Sequence, residues 1–97
     1  MSRRIHRIGD SNDGGGVITT NPTATDVFVE GAEICIEGAI GTGHPPCPIV
    51  PVHCGGAWQT VSSGTNVFAK GIRVIAESDI DTCGHVRIGG ALNTTMA

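Results

Sequence analysis

The chain has no tyrosine, a single leucine, one tryptophan and two phenylalanines among its 97 residues, so any hydrophobic core must be thin. At this length folding removes only about 65% of the surface that the unfolded chain exposes. Small domains with such cores usually add a disulfide, a metal ion or a partner, and a staple of this kind is expected here. Charge is equally scarce. Only 15% of residues are charged and the net value is −3, which leaves no basic stripe to neutralise a phosphate backbone, and nucleic acid is not an expected partner. Arg3, Arg4 and Arg7 form the only basic cluster, and the apolar stretch of a secretion signal does not follow them. No run approaches the roughly 20 apolar residues that cross a bilayer. The product is therefore expected to be soluble where it is made. A cytosolic origin makes metal ligation a commoner use of the four cysteines than disulfides.

What is present is turn chemistry and short β-branched runs. Gly or Pro interrupts nearly every stretch of a dozen residues, and no window carries the apolar spacing of an amphipathic helix. Minimal helix is expected. Ile72, Val74 and Ala76 alternate with Arg73, Ile75 and Glu77, and Val86 and Ile88 flank an Arg87 expected to face outward. Strands of four to six residues are expected, broken at Asn12-Asp13-Gly14, Asn21-Pro22, Gly41-Thr42-Gly43, Gly55-Gly56, Ser63-Gly64 and Gly89-Gly90. Thr25-Asp-Val-Phe-Val-Glu-Gly31 returns forty residues later as Thr65-Asn-Val-Phe-Ala-Lys-Gly71, and Asp79-x3-Cys83-Gly84-x-Val86 echoes Asp10-x3-Gly14-Gly15-x-Val17. Three partial copies of one β unit thus cover nearly the whole of a single all-β domain, residues 1–97. His44 to Gly56 has no full counterpart in the other copies and carries four of the five prolines, two histidines and two cysteines. It reads as an extended, stiff insertion whose fixed ligands suit a small metal site.

Arg7-Ile8-Gly9-Asp10, the two Thr-to-Gly strand turns, His44-Pro45, Cys47-Pro48, His53-Cys54-Gly55 and Asp79 to Gly84 together resemble the PAAR-repeat family. Its members are small conical proteins that sharpen the spike of contractile phage tails and type VI secretion systems. The resemblance spans about residues 5 to 92, and the chain departs from the family pattern at several points. Gly14 stands where the family usually has a metal-binding His, Ser78 where Gly precedes Asp79, and Ala39 replaces the Asp of the middle copy. The Pro-Ala-Ala-Arg string itself is absent, so the chain reads as a divergent member of the minimal phage form, with no added domain.

The resemblance implies one structural zinc per chain near the apex. Matching positions give His53 and Cys83, with His44 and Cys47 competing for a third; since Gly14 supplies no ligand, both are taken to bind, giving the set His44, Cys47, His53 and Cys83. Cys54 and His85 are reserves. Adjacent His53 and Cys54 point oppositely in an extended segment, so one of them should lie outside the shell. A disulfide or free thiols are the alternative. Cys35, between Ile34 and Ile36, reads as a small buried hydrophobe, and His6 as a surface or packing residue. The spread carboxylates read as solvated positions or turn caps. Gly14-Gly15-Gly16 is a turn, since no Gly-Lys-Ser/Thr follows. The His-x-Glu of zinc deaminases and the His-Glu-x-x-His of metalloproteases are both missing, and no enzyme activity is expected.

By resemblance the protein caps the distal end of a trimeric β-helical spike, one copy per trimer and not itself a homo-oligomer, and meets the target cell envelope first. It would then be made in the host cytoplasm and reside in the virion, at the tip of the tail baseplate. The Val27-Phe28-Val29 and Val67-Phe68-Ala69 segments are the candidate base surface. The alternatives are a small β adaptor that recruits other proteins and a zinc-dependent enzyme or effector.

Overall fold

The computed structural model describes residues 3–96. Its strands run in the order β1 (Arg3–Arg4), β2 (Ile18–Thr20), β3 (Phe28–Val29), β4 (Ala32–Glu33), β5 (Ile40–Gly41), β6 (Phe68–Ala69), β7 (Ile72–Arg73) and β8 (Thr95–Met96). One 3-10 turn, Pro51–His53, lies between β5 and β6, and no α-helix occurs among the described residues. The protein is all-β. Its strands are two or three residues long rather than four to six, because each segment changes pairing partner along its length.

Four two-stranded antiparallel pairs occur: β2 joins β5 with an irregular register, and three regular ribbons are formed by β1 with β8, β3 with β4, and β6 with β7. The two repeated segments end in Glu30-Gly31 (φ 50° and 87°) and Lys70-Gly71 (φ 53° and 77°). Positive φ at both central residues is the tight hairpin turn that matches strand twist. The remaining ribbon has no turn. Its strands come from opposite ends of the chain, with Arg3 facing Met96 and Arg4 facing Thr95.

Beyond the ribbons, residues 5–10, 34–39 and 74–79 close on one another through the bridges Ile5 to Ala76, Arg7 to Ile34 and Ile36 to Val74. At their centre the His6 N–H donates to the Ile75 carbonyl, Ile75 to Cys35, and Cys35 to His6, at 2.9–3.0 Å. A second closed circuit joins Ile8 to the Glu33 carbonyl, Glu37 to Arg73 and Glu77 to Arg4. Asp10 and Asp79 occupy matching places, their Oδ2 atoms accepting from the N–H of Arg7 (2.8 Å) and Ala76 (2.9 Å). Where the middle segment has Ala39, the matching Ile36 N–H is taken by Asn21 Oδ1 at 3.1 Å. An acceptor from elsewhere thus replaces the missing carboxylate, as a buried N–H requires.

These circuits bury two thin cores. Ile5, Ile34, Ile36, Val74 and Ala76 pack with the ribbon residues Ala69 and Met96, while Ile18, Cys35, Ala39 and Ile75 form a second cluster. The expected alternation at 72–77 holds, but both faces are covered: Ile72, Val74 and Ala76 meet the first cluster and Ile75 the second. Cys35 is buried as expected, and burial pushes its thiol up to about 12. His6 is fully buried, with no partner on either ring nitrogen among the described residues.

Arg87 does not face outward. Its backbone N–H donates to the Asp79 carbonyl as Ile18 donates to Asp10 and Thr60 to Ala39, and all three side chains at this position are buried. The guanidinium lies 3.0 Å from Asp81 Oδ2 and 5.5 Å from the Trp58 ring centroid, and Asn12 Nδ2 donates to the same carboxylate at 2.9 Å. Burial raises the Asp81 pKa and lowers that of Arg87. Asp79 is equally buried, bonded by Arg3 at 2.9 Å. Asp79 and Asp81 are therefore not solvated carboxylates.

Candidate metal centre

Each of the three segments 5–10, 34–39 and 74–79 leads into a hairpin, and the hairpins are joined in a third circuit. Asp13 N–H donates to the Val86 carbonyl, Thr82 to Gln59 and Thr42 to Val17, each at 2.9 Å. Two of the hairpin loops, 13–15 and 82–84, are short. The third, 42–57, holds the proline-rich insertion. It is compact, not extended: the His44 N–H donates to the His53 carbonyl at 3.0 Å, and the 3-10 turn occupies the space between. The Pro45-Pro46 and Cys47-Pro48 bonds are cis.

This gathering brings three histidines together, their ring nitrogens all within 4.8 Å of one another. His44 Nε2 is 3.1 Å from His53 Nδ1 and 3.7 Å from the Cys83 sulfur. The His85 ring stands edge-on to His44 and His53 at centroid distances of 4.9 and 5.0 Å. His85 Nδ1 is 2.9 Å from Asp13 Oδ1, so the N–H there is donated to the carboxylate and Nε2 keeps its lone pair. That Nε2 is buried and has no hydrogen-bond partner among the described residues. A carboxylate that orients a histidine in this way is the usual second layer of a metal site. Crowding of imidazoles away from water lowers the His53 pKa, through burial first and then the neighbouring His44 and His85. Backbone and His85 hydrogen bonds hold the Asp13 carboxyl below its ordinary value.

Glycines make the room. A Cβ at Gly14 would lie 2.5 Å from His85 Nε2, and one at Gly16 would lie 2.8 Å from both His44 Nδ1 and the Trp58 ring. The position at which the resemblance leads one to expect a histidine is thus filled by His85 reaching across from another hairpin. Trp58, fully buried, anchors the floor through its Nε1–H bond to the Thr42 carbonyl at 3.0 Å and an edge contact with His44.

Of the four expected ligands, His44 and His53 join the cluster, Cys83 lies beside His44 alone, and Cys47 is elsewhere. Cys47 is joined to Cys54 in a disulfide, so a chain whose cysteines were expected to favour metal over disulfides contains a bridge. His53 and Cys54 do face different partners, His53 as the last residue of the 3-10 turn and Cys54 as the extended residue that follows it. His85, a reserve, occupies the place expected of Cys47. Asp13 was read only as a turn carboxylate; its pairing with a histidine 72 residues away left no local signal.

The histidine cluster can hold a metal ion. Nitrogen at about 2.0–2.1 Å and sulfur at about 2.3 Å around a tetrahedral zinc lie about 3.3–3.6 Å apart, close to the 3.1 and 3.7 Å separations here. Three imidazoles and a thiol fit that ion's donor preference. No protein-family model matches the chain, and no curated protein matches it.

Proposed function

We propose that the protein is a structural cap for a trimeric, β-helical spike: a conical, PAAR-like domain of three pseudo-repeats, stapled near its apex by one zinc held by His44, His53, His85 and Cys83. The observation that carries this reading is the set of closed hydrogen-bond circuits, in which one chain makes the same backbone connections three times. A trimer ending in exposed strand edges needs a three-fold partner to cover them, and a single chain with three similar ribbons suits that task. Phe28 and Phe68, 68% and 53% exposed on equivalent strands, supply apolar surface where the spike would dock. Four protein ligands around a zinc leave no open position, which suits a structural and not a catalytic role.

Native mass spectrometry of the chain mixed with the C-terminal β-helix of a spike protein encoded beside it tests the reading. Three spike chains, one copy of this chain and one zinc are expected. A one-to-one complex would favour an adaptor, and an unbound chain would remove the cap.

A further inference from the structure

The loop that carries His44 and His53 also carries the disulfide, and little else fixes it. Its 3-10 turn has no buried residue and no side-chain cap, and Ile49 is 87% exposed. Among the described residues, every hydrogen bond made by residues 45–54 ends within residues 44–57. His85 and Cys83 are held differently, by the short 82–84 hairpin and the Asp13 bonds to His85 and Val86. The Cys47–Cys54 bridge, with a sequence separation of seven, encloses His53 and so limits where its ring can go.

We propose that the bridge and the metal site are coupled: the oxidised loop presents His53 ready placed, and opening the bridge weakens metal binding. This rests on the metal reading above. Opening by a dithiol breaks the S–S bond and yields two thiols, while the dithiol gives up two electrons and two protons and closes to its own disulfide. The freed loop must then be ordered again each time an ion binds. Ordering one side chain and a residue of backbone corresponds to about tenfold in affinity. Coupling of two equilibria is reciprocal, so bound metal protects the bridge from reduction by the same factor.

The test is zinc affinity, measured by competition with a chromophoric chelator, for the oxidised chain and for the Cys47→Ser/Cys54→Ser variant. About tenfold weaker binding by the variant is expected. Equal or tighter binding by the variant would overturn the coupling and leave the metal site standing. An oxidised chain that takes up no zinc would overturn the metal reading and this proposal together. The second measurement needs no variant: the bridge is equilibrated in a glutathione redox buffer, two glutathione thiols closing to their disulfide as the two protein thiols form, and the equilibrium should lie about tenfold further towards the closed bridge in zinc-loaded protein. An unchanged equilibrium would sink the coupling even if the serine variant does not fold.

Discussion

At the ribbon end, Ile5, Ile34, Ile36, Val74 and Ala76 pack around the closed circuits with Ala69 and Met96. At the loop end, the same backbone pattern surrounds the cluster of His44, His53 and His85, the buried Trp58 and the buried Arg87–Asp81 pair, with a disulfide inside the long loop. Residues 38–69, which include the long loop, contain no Asp, Glu, Lys or Arg. The contrast shows how one backbone scheme survives a change of glue. Where three segments meet side by side aliphatic side chains bury one another; where the hairpins meet, the buried Trp58 is packed against His44 and Arg87 and the contacts are directional.

Breaking the apolar end should have the largest effect. Ile36→Ala, at a fully buried site, should lower unfolding free energy by about 2–5 kcal/mol in urea titrations, and by the same amount with and without zinc. Acid attacks the boundary between the ends. Burial, and then the charge of Arg87, lower the His6 pKa to about 4, so the unfolded chain binds the proton more readily. The stability this residue supports is present above pH 6.5 and is lost as pH falls towards 4, by up to about 3 kcal/mol. Urea midpoints between pH 7 and 4 follow it, and a flat profile would show that His6 is not buried neutral. At the loop end alone, Asp13→Ala should weaken zinc binding by about 10–100-fold, with a smaller fall in metal-free stability from the lost bonds to Val86 N–H and His85. The smallest change is at a hairpin: Lys70 sits at φ 53°, and Lys70→Asn should raise stability by up to about 1 kcal/mol. Loss of the exposed 3.5 Å pair with Asp26 offsets little of that.

The same division explains what was legible in the sequence. The Thr25–Gly31 and Thr65–Gly71 copies betrayed their hairpins because a two-residue turn with positive φ demands glycine. The third ribbon, split between Arg3-Arg4 and Thr95-Met96, has no turn to announce it. His6, Cys35 and Ile75 share one structural position but no chemistry, since the circuit they close is made of backbone. Arg87 was misread because alternation reports polarity, and here the polar partner, Asp81, is inside. In the histidine cluster, His44 and His53 were legible from a ligand-dense loop. Cys47 was not, because spacing alone does not separate a ligand thiol from one half of a disulfide.

Because Arg3 lies opposite Met96, the β1–β8 ribbon is antiparallel like the other two, with no turn joining its strands among the described residues. The circuits run between backbone groups of different segments, so they do not depend on which loops join those segments. A circular permutant with a two-residue link across this ribbon and new ends between the exposed Thr23 and Ala24 keeps every circuit intact, and the fold is in this sense a ring with a movable seam.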